Sequence, residues 1–110
     1  MSEILELEKN AESLKEAGQF EESIAEYKKI LDIDENFVRA HMGLSVVYER
    51  AGDVERSVFH AEKACELEPN EQFNFIALSV TYQKAFEGTR DPNFKMKAED
   101  ALARAHMMNE

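Results

Sequence analysis

Residues 7–35, LEKNAESLKEAGQFEESIAEYKKILDIDE, and residues 41–69, HMGLSVVYERAGDVERSVFHAEKACELEP, are two copies of one pattern set thirty-four positions apart. Ala17, Ala51 and Ala85 fall on that spacing, as do Leu14, Tyr48 and Tyr82. Small residues recur at Ala11, Ser45 and Ser79, and bulky ones at Leu7, His41 and Phe75. Gly18 and Gly52 match, with Phe20 and Val54, Ser23 and Ser57, and Ile24 and Val58 behind them. A fixed period of this length marks stacked units that cannot bury their apolar faces alone. Such arrays hold other molecules more often than they transform them.

Working outward, apolar residues keep a helical period nearly throughout, and no stretch alternates like a strand. The pattern predicts helices over about 3–17, 20–33, 36–51, 54–67, 71–87 and 92–108. Gly18 and Gly52 are expected to end their helices in the left-handed conformation, which glycine adopts cheaply. Asp53 is the expected N-cap of the helix that follows. Pro69-Asn70 breaks the chain between the second and third units, and Asp91-Pro92 is a start signal, a capping carboxylate before a proline at the first helical position.

Composition narrows the class. The chain has 110 residues, 44% hydrophobic and 33% charged, which fits one folded domain and not a disordered segment. No apolar run approaches the roughly 20 residues needed to cross a bilayer, and the opening MSEILELEKN lacks a basic leader region. The expectation is a cytoplasmic protein with no membrane partner, and the opening Met-Ser favours a natural start. A lone cysteine, Cys65, agrees with a reducing compartment. A net charge of −10 argues against nucleic acid, which needs a basic stripe. Residues 1–36 hold eleven acids against four bases, so the acidity is concentrated in the first unit. It reads as a solvated surface or as a face toward a basic partner.

The two quoted segments, with their weaker third copy, resemble tetratricopeptide repeats over essentially the whole chain. The resemblance implies an all-α fold, a right-handed superhelical solenoid of three antiparallel helix–turn–helix hairpins. Its repeats would span about 3–36, 37–70 and 71–110, with an insertion near 87–97 in the third. Ala11, Ser45 and Ser79 would let paired helices approach, while Leu7, Phe20, Tyr27, Tyr48, Phe75 and Tyr82 fill the space between them. Departures are visible. The family's usual tryptophan position carries Leu7, His41 and Phe75, and the usual closing proline appears only as Pro69. Phe86 stands where Gly18 and Gly52 stood. EGTRDPNFKMK, residues 87–97, reads as an insertion, part loop and part extra helical turn, with Phe94 and Met96 as either neutral or contact residues.

No catalytic constellation, metal site or cofactor motif is visible, so the expectation is a non-enzyme without cofactors. His41, His60 and His106 lie on different helices without a second ligand at helical spacing. His41 is expected packed in the core, and His60 and His106 facing solvent. Cys65 reads as a small core residue. The glycines are too few and scattered for a phosphate loop.

The resemblance implies instead a concave groove lined by the first helix of each pair. Carried over residue by residue, it comprises Leu5, Glu8, Lys9, Glu12 and Glu16, then Arg39, Met42, Gly43, Val46, Glu49 and Arg50, then Phe73, Ile76, Ala77, Val80, Gln83 and Lys84. Met42, Val46, Phe73, Ile76 and Val80 form its apolar patch, flanked by Arg39, Arg50 and Lys84 and faced by the acidic first unit, from which Leu5 and Lys9 join the expected binding residues. One branch of the family grips a chaperone's terminal carboxylate with lysine, asparagine and arginine. The corresponding positions here are Glu8, Glu12, Gly43, Phe73 and Ala77, so that clamp is not expected.

The implied function is an interaction scaffold or adaptor whose apolar groove takes a protein or peptide, such as an amphipathic helix with basic flanks. The alternative is a self-assembling unit. Such arrays usually close with a polar capping helix, and the last helix here carries Leu102, Ala105, Met107 and Met108, a candidate face for homo-oligomers.

Overall fold

The computed structural model describes residues 2–109, which form α1 (Ser2–Glu16), α2 (Phe20–Ile33), α3 (Val38–Arg50), α4 (Val54–Leu67), α5 (Gln72–Thr89) and α6 (Pro92–Met107). No strand occurs among the described residues. Successive helices pair as the hairpins α1/α2, α3/α4 and α5/α6, and the hairpins stack through α2 on α3 and α4 on α5. The least extent of the molecule, 19 Å, is about two helix diameters, as a row of two-helix units requires.

Local chemistry sets the helix ends. Gly18 and Gly52 close α1 and α3 at φ 78° and 87°, a region that costs a residue with a Cβ. Asp53 caps α4 by accepting the Arg56 N–H at 3.1 Å. Asp91 caps α6 by accepting the Asn93 N–H at 3.0 Å, with Pro92 at the first helical position.

The third hairpin differs from the expectation. Its extra residues are almost entirely helical: α5 runs to Thr89, α6 starts at Pro92, and only Arg90 and Asp91 separate them. With Phe86 in place of a glycine nothing stops α5 early. It ends when Arg90 takes the left-handed conformation, φ 64°.

Two apolar clusters form the core. One joins α1, α2 and α3 through Ile4, Ala11, Tyr27, Ile30, Leu44 and Val47. The other joins α4, α5 and α6 through Val58, Ala61, Leu78, Tyr82, Ala98 and Ala101. The seam between them, inside the α3/α4 hairpin, is polar. Ser45 Oγ donates to the Ser57 carbonyl at 2.9 Å, and Ser57 Oγ returns a bond to the Ser45 carbonyl at 2.8 Å. The first hairpin carries half of that arrangement, Ser23 Oγ donating to the Ala11 carbonyl at 2.8 Å. The small residues of the repeat therefore do more than permit close approach, since their hydroxyls tie one helix backbone to the next.

Candidate functional site

The first helix of each hairpin presents one face to a common side. The thirty-four-residue period puts their side chains in rows: Leu5, Arg39 and Phe73, then Glu8, Met42 and Ile76, then Glu12, Val46 and Val80, and last Glu16, Arg50 and Lys84. Two hollows open along these rows. A hollow of about 1360 Å³ between α1 and α3 is lined by Leu5, Lys9, Arg39, Met42, Val46 and Phe73 among others. A hollow of about 500 Å³ between α3 and α5 is lined by Met42, Val46, Arg50, Phe73, Ile76, Val80 and Lys84, with Ser57, Ala61 and Ala64 of α4 beneath. Met42, Val46 and Phe73 border both, so the two hollows adjoin; of the residues expected in the groove, Glu16 and Gln83 line neither. Phe73 is 61% exposed, and Leu5, Val46, Ile76 and Val80 are exposed beside it.

Charge is distributed less simply than the sequence suggests. Arg39 donates to both carboxylate oxygens of Glu8, from Nε and Nη2, each at 2.9 Å. That two-pronged bond raises the guanidinium pKa further. Lys15 sits 2.9 Å from Glu12 and 3.7 Å from Glu16. Glu8 and Glu12 are thus paired with groove cations, while Asp34 of the first unit lines the same hollow without an ion pair among the described residues. Arg50 and Lys84, at the far edge, have no ion-pair partner among the described residues.

The α1/α3 hollow also has lining residues that the spacing does not predict, Lys15, Phe37, Glu71 and Tyr27 among them. Tyr27 reaches through from α2, and its ring lies where a side chain at Gly43 would project. Burial, with Glu12 and Glu8 nearby, pushes its phenol up to about 12, so it stays a neutral hydrogen-bonding group. The available signal was Gly43 itself, a glycine inside a helix where alanine would be favoured.

Two other expectations need correction, those for Ala105 and His60, while Leu102, Met107, His106 and Cys65 lie as expected. The sequence pattern puts Ala105 on the end face, yet it is fully buried, on the side of α6 turned toward α5. Leu102 and Met107 are exposed, Met107 at 67%, and Met108 is half-buried just beyond α6. His60 does not simply face solvent: it is half-buried, with its Nδ1 3.0 Å from Nδ1 of the buried His41. His106 is exposed. Cys65 is buried, its thiol donating to the Asn74 carbonyl at 3.3 Å, and burial pushes its pKa up to about 11. Among the described residues no three His, Cys, Asp or Glu side chains converge as metal ligands, and no helix is long and apolar enough to cross a membrane.

Family models match the first two hairpins. One described as TPR repeat covers residues 11–52, and one described as Tetratricopeptide repeat covers residues 38–71. The chain belongs to the tetratricopeptide repeat family. No curated protein sequence matches it. Among solved structures, the first TPR of Spaghetti (RPAP3), bound to the HSP90 peptide SRMEEVD, superposes with a TM-score of 0.66 at 14% identity. The match covers 96% of this chain and 92% of that one. Such a likeness carries the fold, and with it the third hairpin, which neither family model reaches. Tetratricopeptide repeats are in general interaction modules and not enzymes. In this tetratricopeptide array the clamp positions hold a paired Glu8, a paired Glu12, a Gly43 backed by Tyr27, and the apolar Phe73 and Ala77.

Proposed function

We propose that the protein is a non-enzymatic adaptor that holds a helix or extended segment of a partner protein in the groove formed by α1, α3 and α5. The observation that carries this reading is Phe73, a large aromatic side chain left 61% exposed at the junction of two hollows. Burying such a side chain against a partner is worth about 1.5–3 kcal/mol, and exposed aromatics at the centre of a patch are the usual anchors of binding. Methionine at position 42 adds a surface that repacks around different side chains.

The HSP90 peptide bound by the structural neighbour supports a peptide partner. Its acidic sequence is a poor candidate for the clamp positions here, because Glu8 and Glu12 occupy two of them. Affinity capture from native host lysate tests the reading, comparing wild type with Phe73→Glu and Ile76→Glu. A partner held by wild type and lost by both variants, with helical circular dichroism intact, supports it. Unchanged retention by either variant rejects the groove as the site.

A second reading is a self-assembling unit, favoured by Leu102 and Met107, which leave apolar surface on α6. Sedimentation velocity over a wide concentration range separates the two. A steep rise in size that Met107→Lys removes favours assembly, and a constant monomer excludes it.

A further inference from the structure

We propose that the cleft between α3 and α5 is a side-chain pocket for one large apolar residue of the groove's occupant, and that Arg50 and Lys84 at its rim hold an acidic residue beside that anchor. This rests on the groove reading and names the kind of segment the groove accepts.

The cleft exists because α3 and α5 lie on successive hairpins and α4, behind them, offers only small side chains. Ser57, Ala61 and Ala64 leave the floor low. Its volume of about 500 Å³ lies within the range of sites that enclose organic groups.

Polar groups in the cleft are already engaged. Ser45 and Ser57 bond each other's helices, at 2.9 and 2.8 Å. Asn74 Nδ2 donates to the Ala64 and Glu68 carbonyls at 3.4 and 3.3 Å, and Thr81 Oγ1 donates to the Ala77 carbonyl at 3.1 Å. A polar group entering would lose its water with little to replace it, whereas an aromatic or branched aliphatic side chain loses nothing.

The rim adds direction. Arg50 and Lys84 hold equivalent positions one repeat apart and are both exposed, with no ion pair among the described residues. Glu49 is the one carboxylate lining the cleft, so two cations face one acid and the rim stays positive. At the opposite side of the groove Arg39 and Lys15 pair with Glu8 and Glu12, while Asp34, Glu68 and Glu71 line the same hollow against Lys9, so that end stays acidic. The two ends of the groove thus differ in sign, and the uncommitted cations at the α3/α5 rim call for an acidic residue beside the anchor at this end.

Fluorescence anisotropy with three labelled helical peptides of one length tests this. The first has a Leu/Phe stripe edged by Glu, the second the same stripe edged by Lys, and the third the Glu edge with its Phe anchor replaced by Ala. The expected result is that the first binds roughly tenfold tighter than either other, that added salt weakens it, and that Lys84→Glu reverses the preference for Glu over Lys. Phe73→Glu should abolish binding of all three. Equal binding of the Glu- and Lys-edged peptides, or no loss on removing Phe, overturns the pocket while leaving the groove standing, provided Phe73→Glu still abolishes binding. Binding that Phe73→Glu leaves unchanged, or none by any peptide, overturns both.

Discussion

His41 Nδ1 and His60 Nδ1 lie 3.0 Å apart across the α3/α4 hairpin, and a third group decides which of them carries the proton. His41 Nε2 is 3.0 Å from the Glu35 carbonyl, which can only accept, so Nε2 bears the hydrogen and Nδ1 is bare. His60 Nδ1–H is then the donor. His60 also stacks on Tyr48, with centroids 5.7 Å apart and planes 7° from parallel, and meets the edge of Phe59.

Burial holds the His60 pKa down to about 4, with His41 and Lys28 adding to the effect. A histidine lowered on folding binds fewer protons folded than unfolded between about 4 and 6.5. Stability is therefore full above pH 6.5 and falls as the pH drops through that window. Because the ring is only half-buried, the loss should be on the order of 1 kcal/mol. Thermal melts at pH 7.5 and 5.0 should show a larger decrease for wild type than for His60→Asn. Equal decreases would remove His60 from the account.

Gly43→Ala should destabilise the protein, against the usual trend. Inside a helix the change normally favours folding by about 1 kcal/mol, but here the added methyl would overlap the Tyr27 ring. Overpacking of that kind costs about 1–3 kcal/mol. In urea titrations Gly43→Ala should lower the midpoint, and should do so much less when made on a Tyr27→Leu background.

Asp53→Ala should cost about 1 kcal/mol. Its carboxylate accepts the Arg56 N–H at 3.1 Å and the Arg56 guanidinium at 2.7 Å, which together lower its pKa. Asp53→Asn should retain most of that stability, since the cap survives and an exposed ion pair adds little. A loss in Asn equal to that in Ala would show that the ion pair matters more than the cap.

Arg90→Gly should raise the unfolding midpoint by up to about 1 kcal/mol in stability. Arg90 sits at φ 64°, where a Cβ is strained, and its guanidinium lies a distant 5.7 Å from the Phe86 ring. A lower midpoint would mean that the Phe86 contact outweighs the strain.

The hairpins were legible because one period controls two things at once. Ala11 and Ser45 mark where helices touch, while Gly18 and Gly52 mark where the chain must turn with positive φ. The third hairpin was less legible because it lacks that glycine, and Gly88 is absorbed into α5. A periodic stripe of alanines also does not say which side is covered, so the pattern alone does not show that Ala105 is buried. The rows lining the groove followed from spacing. Tyr27 did not, because it enters from the second helix of its pair. Nor did the His41–His60 contact, which joins residues nineteen apart on facing helices.

Three exposed apolar side chains mark three faces of the molecule: Val46 in the groove, Phe59 on α4, and Met107 at the end of α6. Placing a photo-crosslinking residue at each in turn, in the native host, asks directly which face is occupied. The groove account predicts a discrete crosslinked partner from position 46, absent from positions 59 and 107. Crosslinks confined to position 59 or 107 would contradict it.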